Sequence, residues 1–150
     1  MNTHALSPTR PILLVEDNLE DIELTMAVLG KNHMDNQLVV VRHGADALDY
    51  LHHRGTFQNL AARRPIVVVL DLKMPKVDGL EVLRQIKGDP TLRTIPVVMF
   101  TSSREEADLI RSYELGVNAY VVKPVGFHQY SDVILQLGLF WGVLNELPPA

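Results

Sequence analysis

No cysteine occurs in the 150 residues, which excludes disulfides, thiolate metal sites and thiol nucleophiles and suits a reducing compartment. A positive charge excess is missing too: 14 Lys and Arg stand against 18 Asp and Glu, for a net charge of −4. Phosphate backbones are bound by clustered cationic excess, so nucleic acid is not an expected partner. The apolar runs are far too short to cross a bilayer, and residues 1–10 contain no apolar core of the signal-peptide kind. Together these absences predict a cytoplasmic protein that does not engage membranes.

What is present is enough apolar material, 47% of residues, for one well-filled core. Residues 11–147 are expected to form that domain, with 1–10 a flexible tail and 148–150 a short C-terminal one. The organising stretch is Ile66-Val67-Val68-Val69-Leu70-Asp71. Its β-branched side chains pack well on a pleat and no polar residue interrupts them, so it reads as a strand buried on both faces. Similar runs at 12–15, 38–41, 96–101 and 119–122 predict four more strands. Helical spacing of apolar residues intervenes from Leu19 to about Gly30, from Ala45 to about His53 and from Gly79 to Lys87. A capping box at Ser102-Ser103-Arg104-Glu105-Glu106 opens a fourth helix ending near Leu115, and a last one runs from Phe127 to about Asn145. Residues 54–64 form an unusually long connection, read as a surface loop or helical extension. Five strands alternating with five helices predict an α/β doubly wound parallel sheet, since parallel neighbours need crossovers.

The polar residues that break this pattern all fall at carboxyl ends of strands. Glu16 and Asp17 follow the first, Asp71 the third, Thr101 closes the fourth and Lys123 follows the fifth. If the strand order is 2-1-3-4-5, the crevice opens between strands one and three, where three carboxylates converge. Such crowding raises carboxylate pKa values unless a cation offsets it. Oxygen-only donors in a small acidic cleft suit Mg²⁺, which keeps several waters and favours carboxylates together with phosphate oxygens. The six histidines show no metal-ligand spacing beside acids and are expected on the surface.

Val15-Glu16-Asp17, Asp71-Leu72-Lys73-Met74-Pro75 with Gly79, Thr101-Ser102 and Tyr120-Val121-Val122-Lys123-Pro124, in this order, resemble the receiver domain of two-component response regulators. The resemblance covers the chain from Pro11 to about Val143. It implies a flavodoxin-like five-stranded parallel sheet, order 2-1-3-4-5, and a protein that is not an enzyme beyond its own phosphotransfer and slow dephosphorylation. It implies Asp71 as phosphoacceptor, taking the group from a sensor histidine kinase. Asp17 would hold Mg²⁺ (or Mn²⁺) directly, Glu16 through water, with Asp71 and the backbone carbonyl of Lys73 as further ligands. Lys123 would neutralise the phosphoryl oxygens and Thr101 would hydrogen-bond the new group. Tyr120 would then rotate inward, and the Lys123–Pro124 bond would be cis. Output would be a protein interaction or onward phosphorelay. Two departures stand out: Glu16 where Asp is commoner, and the 54–64 insert.

Two other classes share such a sheet. A phosphatase with an Asp nucleophile would want a second acid where this chain has Lys73, and a flavin protein a Gly- or hydroxyl-rich loop where it has Glu16 and Asp17. In the last helix, Val133, Leu137, Phe140 and Leu144 line one stripe and Leu135, Leu139 and Val143 another, with Trp141 beside them. A helix apolar nearly all round wants cover on more than one side, so a homodimer contact is expected there. The ending and the insert resemble stand-alone regulators that accompany phytochrome-type histidine kinases.

Overall fold

The computed structural model describes residues 10–34, 38–58 and 64–148. Residues 1–9 of the expected tail, 59–63 of the expected excursion at 54–64 and 149–150 therefore lie outside the described residues, and the described part of that excursion carries a single 3-10 turn over Gly55–Phe57. The elements are β1 (Ile12–Val15), α1 (Leu19–Lys31), β2 (Leu38–Val41), α2 (Gly44–His52), β3 (Val67–Leu70), α3 (Gly79–Gly88), β4 (Val97–Thr101), α4 (Glu106–Glu114), β5 (Ala119–Val122) and α5 (Phe127–Leu139). The strands form one parallel sheet in the order β2-β1-β3-β4-β5, as anticipated.

Strand periodicity divides the core into two layers. Leu13, Val15, Val68, Leu70, Val97 and Met99 face α2 and α3, whose Ala47, Leu48, Leu51, Val82, Leu83 and Ile86 cover them. Their neighbours Ile12, Leu14, Val67, Val69, Val98 and Phe100 pack against Leu29 of α1 and Tyr130 and Ile134 of α5. The central strands are buried on both faces, which accounts for their lack of polar residues, while β2 and β5 close the edges half-buried.

Register aligns the chemistry. Ile12 pairs with Val67 and Val15 with Leu70, so β1 and β3 end level with each other. Immediately beyond, the Asp71 N–H donates to Val15 O at 3.0 Å and the Glu16 N–H to Val41 O at 3.1 Å. On the far side the Lys123 N–H donates to Thr101 O at 2.7 Å. Gly79 must be glycine: a Cβ there would collide with the Asp71 carbonyl and approach Leu72 Cα to 2.7 Å. Asp78 caps α3 by accepting from Glu81 N at 3.0 Å, and Asn18 caps α1 by accepting from Asp21 N at 3.0 Å.

Two helix expectations are corrected. No capping box forms at α4, which starts at Glu106 after Glu105, a residue with no side-chain cap bond. Ser103 Oγ instead donates to Asp108 Oδ2 at 2.6 Å, two residues beyond Glu106, and accepts from Glu105 N at 3.3 Å. The last helix is α-helical only to Leu139 and continues as a π turn over Phe140–Leu144. Its buried stripe is Tyr130, Ile134 and Gly138, not the one through Phe140 and Leu144, because Gly138 lets the helix approach Leu29 and Met34, 3.0 and 3.2 Å from where a Cβ would stand. Among the described residues no helix is long and apolar enough to cross a membrane.

Candidate functional site

Every polar residue singled out at a strand end arrives at one edge of the sheet. Glu16 is fully buried, Thr101 and Lys123 are buried, and Asp17, Asp71 and Tyr120 are half-buried. Glu16, Asp17 and Asp71 each present a carboxylate oxygen within 4.8 Å of the others. Lys123 Nζ donates to Glu16 Oε1 at 2.6 Å and to Asp71 Oδ2 at 3.2 Å. It also donates to Asp21 Oδ2 at 2.8 Å, and it stands 5.8 Å from the centre of the Phe100 ring.

Electrostatics follow from this crowding. Burial pushes the Glu16 carboxyl up to about 7, with the bond and charge of Lys123 opposing and the charge of Asp71 adding to the rise. Burial alone would lower the Lys123 ammonium, but its bonds to Asp21 and Glu16 outweigh that and raise it. The ammonium is thus the cation around which the acids are gathered. The three oxygens of Glu16, Asp17 and Asp71 form a hard, oxygen-only donor set of the size and charge that a divalent cation takes. Lys73 follows Asp71 by two residues, its N–H directed at Asp71 Oδ1 at 3.4 Å and its ammonium 3.7 Å from Glu105 Oε1 across the cleft.

Thr101 and Tyr120 both hold the loop between β4 and α4. Thr101 Oγ1 accepts from Ser103 N at 3.3 Å, and the Tyr120 hydroxyl donates to Ser103 O at 3.1 Å. Tyr120, expected to rotate inward after phosphorylation, has its hydroxyl on this loop in the unphosphorylated chain. The Lys123–Pro124 bond was expected to be cis; no cis peptide bond occurs among the described residues. Trans is the ordinary preference of an X–Pro bond, and three carboxylates, not the backbone isomer, aim the ammonium.

Sequence reasoning missed two participants. Asp21 reads from the sequence only as negative charge in the first turn of a helix; its place in the first turn of α1, directly after the strand end that carries Glu16 and Asp17, was the signal that it shares the same edge. Tyr130, one turn into α5 with its ring tilted against Phe100 at 5.4 Å between ring centres, is buried with its hydroxyl facing Asp21 and Lys123. Burial first, then the surrounding charges, raises its pKa. No periodicity marks it apart from an ordinary core residue.

Comparison with known proteins agrees with this geometry. The family model for the response regulator receiver domain matches residues 12–134. The chain is 40% identical over 144 residues to the response regulator Rcp1 of Synechocystis sp., covering 96% of this chain and 97% of that protein. The structure of the Mn²⁺-bound form of Rcp1 superposes with a TM-score of 0.86 at 39% identity, over 93% of this chain and 99% of that one. The phosphorylated cyanobacterial phytochrome response regulator RcpA gives 0.86 at 39% identity, over 95% and 100% of the two chains. The bacteriophytochrome response regulator AtBRR is 60% identical, with a TM-score of 0.73 over 93% and 100%.

Proposed function

The chain belongs to the response regulator receiver family, the phosphoacceptors of two-component signalling, and from that premise we propose that Asp71 receives a phosphoryl group from a sensor histidine kinase. The observation that carries this is the Lys123 ammonium, held 3.2 Å from Asp71 and bonded also to Glu16 at the neighbouring strand end. A carboxylate oxygen of Asp71 attacks phosphorus; the P–O bond forms as the P–N bond of phosphohistidine breaks, its electron pair returning to the imidazole. Lys123 neutralises charge on the phosphoryl oxygens, and the buried Thr101 hydroxyl, which now only accepts from Ser103, is free to donate to one of them. Asp17, Asp71 and the Lys73 carbonyl would hold a divalent cation directly and Glu16 through water, and the cation would supply further neutralisation; Mg²⁺ is the proposed ion, with Mn²⁺ an alternative. Engagement of Thr101 pulls on the same loop that Tyr120 holds, and this is how phosphorylation is read by a partner. Beyond this self-directed transfer and its slow reversal the protein is no enzyme, and its output is a protein contact or onward phosphotransfer in the cytoplasm.

Exposure to Mg²⁺ and a small phosphodonor, followed by intact mass and peptide mapping, tests the reading. One phosphate on the peptide containing Asp71 is expected; no adduct, or an adduct elsewhere, refutes it. The cation site has a pH signature. Glu16, raised to about 7, holds a proton that must leave before it can share a cation, so Mg²⁺ affinity should rise up to about tenfold per pH unit from roughly pH 5 to 7 and then level. Calorimetric titration at several pH values checks this, and a flat profile would show Glu16 ionised throughout.

The named relatives that serve phytochromes point to a phytochrome-type kinase as the donor. A second copy of this chain is the proposed cover for Leu139, Phe140, Val143 and Leu144, which stand exposed at the end of α5 and in the turn after it. No Lys or Arg in that segment favours a membrane surface instead. Sedimentation should give a dimer at micromolar concentration, and Leu144→Glu should give a monomer; a wild-type monomer at high micromolar concentration sinks the proposal.

A further inference from the structure

Two carboxylates other than the phosphoacceptor set the position of Lys123. Its Nζ lies 2.6 Å from Glu16 Oε1 and 2.8 Å from Asp21 Oδ2, but 3.2 Å from Asp71 Oδ2. The long bond falls on the reacting group, whose oxygen has to be free for attack. An ammonium nitrogen is tetrahedral, with one direction taken by Cε and three by protons. Glu16 and Asp21 take two of those protons, which leaves the third a single direction, toward Asp71. A phosphoryl group on Asp71 would take that same proton, so both anchors stay in place through the transfer.

The anchors differ in kind. Glu16 is buried at the end of β1, and its other oxygen accepts from Asn18 N at 3.2 Å. Asp21 belongs to α1, outside the strand ends and outside the group of carboxylates that could share a cation. Its own backbone is held on both sides: the N–H donates to Asn18 Oδ1 at 3.0 Å and the carbonyl accepts from Thr25 Oγ1 at 2.8 Å. The Tyr130 hydroxyl of α5 faces its carboxylate. A cleft of about 290 Å³ borders Asp21, Lys123 and Tyr130. Without Asp21 the second proton would turn to water in that cleft, which imposes no direction, and the flexible stem of Lys123 would let the ammonium swing about Glu16.

Resting on Asp71 as the phosphoacceptor, we propose that Asp21 is a positioning residue for phosphoryl transfer: together with Glu16 it fixes the Lys123 ammonium so that the remaining proton meets the phosphoryl oxygens as they arrive at Asp71. Asp21 itself touches neither the phosphoryl group nor the cation and acts only through Lys123.

Phosphorylation of the full chain by a small phosphodonor with Mg²⁺, timed by intact mass, tests this in variants whose folding has been verified by thermal melting. Asp21→Ala should lower the maximal rate about tenfold, as misplacement of a charge-stabilising group does, and change the half-saturating donor concentration less than about twofold. Asp21→Asn keeps an acceptor oxygen and should recover all but about threefold of the rate. Asp21→Leu, close to Asp in shape but without an acceptor, should match Asp21→Ala and stands in for it should the smaller residue loosen α1. Glu20→Gln removes an exposed charge from the same helical turn and should stay within about twofold of the wild type, the range of a screened surface charge. The NMR signal of the Lys123 ammonium, assigned by its loss in Lys123→Met, should be protected from exchange with water in the wild type and broadened by exchange in Asp21→Ala. A purely structural role for Asp21 would not move that signal in a chain that melts normally. An undiminished rate in both Asp21→Ala and Asp21→Leu, an equal loss in Glu20→Gln, no recovery in Asp21→Asn, or an ammonium signal unchanged by Asp21→Ala overturns the inference. A wild type that takes up no phosphate refutes instead the phosphoacceptor reading beneath it, and the ammonium signal then still reports whether Asp21 holds Lys123.

Discussion

Asp71→Asn should take up no phosphate from a kinase or small phosphodonor and yet fold at least as stably as the wild type. An amide oxygen is a poor nucleophile, and no other carboxylate at this edge is bonded to Lys123 with Thr101 at the adjoining strand end, so the adduct is expected to vanish rather than diminish. Stability moves the other way for an electrostatic reason. Glu16 has a folded-state pKa raised from 4.5 to about 7, so its favourable contribution is complete below about 4.5 and is lost as pH rises through about 7. The charge of Asp71 is one cause of that rise. Removing it lowers the folded-state value and lessens the loss, by about 1.4 kcal/mol for each pKa unit recovered. The gain should be absent at pH 4 and complete near pH 8. Intact mass and thermal melts at the two pH values check both halves. A persisting adduct would sink the assignment, and a variant less stable at pH 8 would sink the account of the cluster.

Lys123→Met should have the opposite signature. It strips the only cation bonded to Glu16, Asp21 and Asp71 among the described residues, leaving Glu16 buried without a counter-charge. Removal of one partner from a buried ion pair typically costs about 3–5 kcal/mol, much more than a surface pair is worth. Two conditions should restore stability, each by a separate route. Acid protonates Glu16, whose pKa rises further once Lys123 no longer opposes the effect of burial. Divalent cations replace the lost charge through the donor set of Glu16, Asp17 and Asp71. Urea unfolding at pH 8 with and without Mg²⁺, and again at pH 5, measures all three states. Equal stability of variant and wild type at pH 8 without Mg²⁺ would show that the acids do not depend on the ammonium. Phosphate uptake should fall sharply in this variant even where Mg²⁺ restores the fold, since Lys123 also answers the charge of the phosphoryl oxygens.

The strand-end residues were readable in advance for a simple reason. A strand buried on both faces tolerates no polar side chain until it ends, so Asp71 after four apolar positions, and Glu16 after four more, announce where the sheet stops. Helix starts were less legible. Asn18 and Asp78 cap as their side chains allow, whereas Ser103 before α4 bonds Asp108 and the loop instead, because Thr101 and Tyr120 draw it inward. The stripe on α5 was misread because hydrophobicity alone ranks Phe140 and Leu144 above Gly138, while packing against Leu29 and Met34 requires the residue with no side chain.

By itself, then, the amino-acid order determined the alternation of strands and helices, the absence of thiol chemistry, and the acids, hydroxyl and ammonium at the strand ends. These are local facts, set by side-chain size, polarity and spacing along the chain. Only the tertiary structure decided that Lys123 reaches back 102 residues to Asp21 as well as to Asp71, and that the buried Tyr130 hydroxyl faces them. Such partners are chosen by the register of β1 against β3 and the seating of α5 on α1, distances in space that no periodicity records.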